Sequence, residues 1–201
     1  MREATAQAFL DLVSARRGHF RMESGLHGGL WLDLDTLFAN SWKVQPFVDA
    51  LVAALEPYEI AAVCGPMTGG AFLAHWVAMA LGLEFAFAER TADDGGGLYP
   101  ARYRIPAALA ARMAGRPVAL VDDVMSAGSS LRATHEAVRA AGGHPIVAGT
   151  LLALGTRGVS FFEERDIRVE AVVRADFDCW TPDACPACAS GVPLHDVAPG
   201  A

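Results

Sequence analysis

Apolar residues recur at helical spacing in two stretches near the N-terminus. Phe9, Leu12 and Val13 mark one face of an opening helix that Gly18 is expected to end, and Val44, Phe47, Val48, Leu51, Val52 and Leu55 mark a second helix around Pro46. Between them, FRMESGLHGGLWLDLDTLFAN mixes glycine with alternating apolar residues, which predicts short strands. Further on, the rhythm shortens: IAAVCG reads as a strand, GGAFLAHWVAMALG as a helix closed by Gly82, and FAFA as another strand. After a polar, Gly-rich interval over 89–106 the pattern predicts a strand over 118–121, a helix over 130–141 and a strand over 146–154. Such alternation implies an α/β fold, a mostly parallel sheet flanked by helices on both faces. The 201 residues suffice for one domain with a substantial core. We divide that domain into an N-terminal region (1–45), a core (46–155) and a C-terminal extension (156–201).

In open parallel sheets, ligands bind beyond the carboxyl ends of the strands. Three stretches fall there: CGPMTGG over 64–70, Glu89-Arg90, and DDVMSAGSS over 122–130. The last follows an apolar run, VALV, with two adjacent acids that repel each other and that a buried strand does not need. Ser126-Ala127-Gly128-Ser129-Ser130 then opens a helix whose first backbone N–H groups lack intrahelical partners, so amides and hydroxyls can wrap a phosphate. Asp122 and Asp123 would sit about one sugar-length away, suited to accepting hydrogen bonds from two ribose hydroxyls. A Walker A loop is excluded, because no Gly-Lys-Ser/Thr is present.

Charge makes any phosphate site a local affair. With 16 basic and 23 acidic residues the net charge is -7, so no general attraction for nucleic acid or anionic lipid exists. The most apolar stretch, 71–83, is shorter than the roughly 20 residues a membrane span needs. The N-terminus lacks an apolar signal core, which makes the cytoplasm the expected compartment. There the four cysteines are thiols or metal ligands rather than disulfides.

VALVDDVMSAGSS resembles the 5-phosphoribosyl-1-pyrophosphate (PRPP) motif of type I phosphoribosyltransferases. ESGLHGGLWLDLDTLF and CGPMTGGAFLAHWVAMALGLEFAFAER are similar to the orotate-using branch of that family. The resemblance implies the type I phosphoribosyltransferase fold with residues 1–45 as a small hood, and transfer of ribose 5-phosphate from PRPP to a nucleobase, with orotate the leading candidate. Orotidine 5-phosphate and pyrophosphate would be the products, within pyrimidine biosynthesis. It implies PRPP binding by Gly65, Met67, Thr68, Gly69, Arg90, Asp122, Asp123, Val124, Met125, Ser126, Ala127, Gly128, Ser129 and Ser130. Asp122 and Asp123 would also oppose the positive charge developing at C1′. Ser24, Ser126 and Arg157 would contact the base, although the family's arginine follows an aspartate and Arg157 in LALGTRG is displaced from that place. Mg²⁺ and a homodimer are implied as well.

The family's mobile loop carries a lysine. Here Lys43 is the only lysine of the chain, and the loop's nearest counterpart is Asp93 in ERTADDGGGLYPARYRIP. Arg102 or Arg104 is the replacement cation, although guanidinium is bulkier and always charged. This departure keeps open a phosphoribosyltransferase for another base and a non-catalytic PRPP or nucleotide sensor. Outside the motif, Cys179, Cys185 and Cys188 form C-x5-C-x2-C with His195 downstream, a set that could hold a structural Zn²⁺, although one CxxC alone leaves free thiols as the commoner reading. His27 and His75 receive no role.

Overall fold

A computed structural model describes residues 5–92 and 96–196. Two sheets organise the chain. The larger has six strands in the order β5-β4-β3-β6-β7-β8, formed by Tyr103–Arg104 (β5), Glu84–Arg90 (β4), Ala62–Pro66 (β3), Pro117–Met125 (β6), His144–Leu154 (β7) and Arg168–Ala175 (β8). All its pairings are parallel except the β4–β5 edge. The smaller sheet has the order β10-β1-β2-β9, where β1 is Ser14–Arg21, β2 His27–Asp33, β9 Cys179–Trp180 and β10 His195–Asp196.

Parallel strands covered on both faces must be apolar on both faces, and alternation along the strands divides them accordingly. Val63 and Val121 join Leu51, Leu55, Leu73 and Val77 under helices α2 (Ser41–Leu55) and α3 (Gly69–Leu81), with Phe9 of the short helix α1 (Ala6–Leu10) in the same cluster. Cys64 and Leu120 face the opposite cluster with Met113, Leu131, Val138 and Phe162. These come from α4 (Ala107–Met113), α5 (Ser129–Ala140) and α6 (Arg157–Glu163). Leu26, Ala127 and Cys179 form a third, small cluster that ties the smaller sheet to the larger one.

Two boundaries differ from the sequence expectation. The opening helix ends at Leu10, and Gly18 lies inside β1, at the irregular step between Arg17 and Phe20, because Ser14 already pairs with Asp33 of β2. Strand β6 does not stop at Val121; its pairing with β7 continues to Met125, opposite Ala153, so the two acids lie within the strand. Among the described residues no helix is long and apolar enough to cross a membrane.

Candidate active site at the ends of β3, β4 and β6

Asp122 and Asp123 are 7 % and 6 % exposed, unusual for adjacent carboxylates. Each is held by backbone donors: the Asp123 amide donates to Asp122 Oδ1 (3.1 Å) and the Val124 amide to Asp123 Oδ1 (2.7 Å). Thr150 of β7 donates its hydroxyl to the Asp123 carbonyl (3.2 Å), fixing the strand beneath. Burial raises the Asp122 carboxyl well above the usual range, and the neighbouring Asp123 charge adds to this. Burial likewise lifts Asp123 to about 6. Two buried acids of this kind favour a partner that brings positive charge or hydroxyl donors.

The loop after β3 reaches this pair at close range. A Cβ on Gly69 would collide with the Asp123 carboxylate, and one on Gly70 would stand 2.7 Å from Asp122 Oδ1. Only glycine lets the start of α3 pack there. Met67 and Thr68 are joined by a cis peptide. Cys64, at the base of the same loop, is fully buried, and this pushes its thiol up to about 12.

After β6, Gly128 adopts φ +76° and caps the N-terminus of α5, and Ser129 and Ser130 form that helix's first turn. The left-handed conformation favours glycine, and a Cβ would also meet Gly158 Cα at 3.1 Å. Gly158 in turn donates its amide to the Ser126 carbonyl (3.0 Å), so the loop rests on α6.

Arg90 and Ser130 are brought together by Glu23, which the sequence reading passed over. Its carboxylate accepts from Arg90 Nη1 (2.9 Å) and from Ser130 Oγ (3.1 Å). Tyr103 stands in the same cluster: burial first, then the charges of Glu23 and Asp122, raise its phenol. Both residues flank motifs singled out in the sequence, Glu23 preceding Ser24 and Tyr103 lying between Arg102 and Arg104, but contact across elements distinguishes them.

Ser24 is buried, accepts from the Leu26 amide (3.2 Å) and offers its carbonyl to the Tyr99 amide (2.8 Å). The Arg132 guanidinium lies over the rings of Tyr99 and Phe161 (4.1 and 4.3 Å to the centroids) and donates to the Ala127 and Arg157 carbonyls. Arg157 lines a cavity of about 270 Å³ with Leu154, Thr156, Phe177, Asp178, Cys179 and Trp180. A larger depression, about 410 Å³, lies along 163–170 and holds none of these residues.

Arg102 and Arg104 are both engaged locally. Arg102 Nη1 donates to the carbonyls of Tyr99, Pro100 and Ala101, and Arg104 pairs with Glu89 at 2.6 Å. Asp93 lies outside the described residues. The cysteine set also regroups: Cys185 and Cys188 gather with His19 and His27. Cys179 lies beside Arg157 in the cavity instead, and the His195 ring lies against Phe20 (centroids 5.7 Å apart). The β1–β2 hairpin thus supplies the histidines, including His27, to which the sequence assigned no role.

Known proteins share this fold. The phosphoribosyl transferase domain model matches residues 51–170. Orotate phosphoribosyltransferase from Pelotomaculum thermopropionicum is 31 % identical over 91 % of this chain and 88 % of its own. That from Caldanaerobacter subterraneus is 29 % identical over 99 % and 97 %. Among solved structures, orotate phosphoribosyltransferase from Aeropyrum pernix superposes with a TM-score of 0.61 at 22 % identity, over 80 % of this chain and 87 % of that one. APRTase from Giardia lamblia superposes with a TM-score of 0.68 at 19 % identity, over 87 % and 99 %. With the paired acids, the serine loop and the glycine approach meeting at one end of the sheet, and with a family model spanning most of that sheet, this chain belongs to the phosphoribosyltransferase family.

Proposed function

We propose that the protein is an orotate phosphoribosyltransferase, moving ribose 5-phosphate from PRPP to orotate in pyrimidine biosynthesis. The observation that carries the chemistry is the buried Asp122–Asp123 pair held between the Gly69–Gly70 approach and the loop that opens α5. Relatives named for orotate, aligned over nearly the whole chain, support the choice of base.

The Ser126–Ser130 loop and the first amides of α5 receive the 5-phosphate. Asp122 and Asp123 accept the ribose hydroxyls and stabilise positive charge at C1′ as the C1′–O bond to pyrophosphate breaks and its electrons leave with that group. A ring nitrogen of orotate forms the new bond to C1′ and loses its proton, which passes to the departing pyrophosphate or to solvent. Arg90 and the loop over 65–70 hold the pyrophosphate, and Arg102 or Arg104 brings a further cation. Ser24 and Ser126 meet the base, and Arg157 meets its carboxylate from the cavity. Two buried, adjacent carboxylates fit a site that also accepts Mg²⁺, and Asp122 and Asp123 would be the residues that hold it there. Bound with PRPP, Mg²⁺ supplies charge neutralisation of the leaving group.

The active form is a cytoplasmic homodimer. Phe72 and Met79, 57 % and 67 % exposed and seven residues apart on α3, give one helix face a broad apolar surface that a second copy would cover. None of the four cysteines is in a disulfide, in keeping with a reducing compartment.

The test is Mg²⁺-dependent pyrophosphate release from PRPP against a panel of bases. Release with orotate and not with uracil or adenine is expected. Release with another base reassigns the substrate, and PRPP binding without turnover for any base overturns the enzymatic reading.

A further inference from the structure

We propose that His19, His27, Cys185 and Cys188 bind one structural Zn²⁺ ion that fastens the C-terminal segment to the β1–β2 hairpin. The four candidate ligand atoms lie within 4.8 Å of one another. His19 Nε2 is 3.1 Å from His27 Nδ1, 3.3 Å from Cys185 Sγ and 3.7 Å from Cys188 Sγ, and Cys188 Sγ is 3.2 Å from His27 Nδ1. A tetrahedral site with Zn–S about 2.3 Å and Zn–N about 2.05 Å has edges of about 3.3 to 3.8 Å. Four of the six distances between ligand atoms, 3.1 to 3.7 Å, already lie near those edges.

The surroundings match a metal site as well. His19 Nδ1 is 2.9 Å from the Val192 carbonyl; donating a proton there leaves the Nε2 lone pair facing the other three ligands, the usual arrangement behind a metal-bound histidine. The C-x2-C spacing sits on the turn of α7 (Pro186–Ala189), which carries Cys188, with Cys185 as its N-cap. Two thiolates and two neutral imidazoles balance the charge of Zn²⁺, and binding releases the two thiol protons to solvent. Mixed sulfur and nitrogen donors in a tetrahedron favour zinc over Mg²⁺ or Ca²⁺.

The ion also answers a mechanical need. No described residue from 186 to 196 belongs to any of the three apolar clusters, and among the described residues β10 pairs with β1 at Phe20–His195 and Arg21–Asp196 alone. A cross-link at Cys185 and Cys188 holds what packing does not.

The experiment is elemental analysis of intact, untagged protein purified without chelators. One zinc per chain is expected, lost in Cys185→Ser and His19→Ala and retained in Cys179→Ser and His195→Ala. Because ligand variants can misfold, the wild-type chain is also stripped of metal and loaded with Co²⁺. A thiolate-to-cobalt charge-transfer band and intense tetrahedral d–d bands, abolished by added Zn²⁺, are expected. Absence of both stoichiometric zinc and these bands overturns the site, leaving a hydrogen-bonded His/Cys cluster. Full zinc retention in Cys185→Ser and His19→Ala, or its loss in Cys179→Ser and His195→Ala, overturns the ligand set. None of these readouts depends on which base the enzyme uses.

Discussion

Glu23 Oε1 lies 2.9 Å from Arg90 Nη1, and the same carboxylate takes the Ser130 hydroxyl, so one acid of the hood occupies donors from two different loops of the core. Both donors belong to loops proposed to hold the phosphate groups of PRPP. A carboxylate satisfying phosphate donors competes with phosphate. Such a partly exposed pair is worth at most about 1 kcal/mol. Glu23→Gln is therefore expected to tighten PRPP binding by up to about fivefold, measured calorimetrically. Weaker binding would show that Glu23 positions Arg90 instead.

The buried acids carry a stability cost that depends on pH. Both carboxyls have folded-state pKa values raised above the unfolded ones, and for Asp123 the window runs from 3.8 to about 6. The native state binds more protons within it, so stability falls as pH rises through the window, and the cost is fully present above it. Asp122→Asn with Asp123→Asn is expected to raise stability near neutral pH by on the order of 1–3 kcal/mol and to flatten the decline between about pH 4 and pH 6. Turnover should drop by about 10³-fold or more. Thermal melts across pH, run beside a pyrophosphate-release assay, check both; an active double variant would remove the pair from the chemistry.

Gly128→Val places a β-branched residue at φ +76° and a methyl-bearing carbon 3.1 Å from Gly158 Cα. The strain costs about 1–3 kcal/mol, and the serine loop must shift. PRPP binding is expected to vanish in calorimetry while the circular dichroism spectrum stays α/β. Gly69→Ala should also lower kcat/KM by at least about tenfold, because the added carbon collides with the Asp123 carboxylate.

The arginines divide by the parameter they change. Among the described residues the Arg104 side chain pairs with Glu89 and the Arg102 side chain with carbonyls of its own loop, so alanine at either is expected to leave the melting temperature nearly unchanged. At least one of the two variants is expected to lose kcat by about tenfold or more, with PRPP affinity intact. Wild-type turnover in both would make the loop cations bystanders. Arg157→Ala should instead raise KM for orotate, since Arg157 lines the cavity proposed to take the base carboxylate.

Phe72→Asp with Met79→Asp introduces two like charges into the apolar face of α3. A dimer mass for the wild type and a monomer mass for the double variant are expected in light scattering at micromolar concentration. A monomeric wild type removes the proposed assembly.

Much of this was legible before the chain was folded, and the reason is sequence separation. A strand, two acids, a serine-rich turn and a helix follow one another over 118–140, so short-range steric rules for glycine and hydrophobic periodicity sufficed to place the serine-rich turn and the acids between a strand and a helix. The same periodicity missed that β6 continues through Asp122 and Asp123, because they pair beside β7 and pack against Gly69 and Gly70 after β3, neither adjacent in sequence. Contacts over long separations were decided by tertiary structure alone. Glu23 meets Ser130 across 107 positions, and His19 meets Cys185 across 166. Cys179 and His195 had the better sequence spacing for a metal, yet β9 turns one toward Arg157 and β10 sets the other against Phe20, while the β1–β2 hairpin presents His19 and His27. Ligand geometry is a matter of distance in space, and the packing of residues 185–192 on the hairpin sets it.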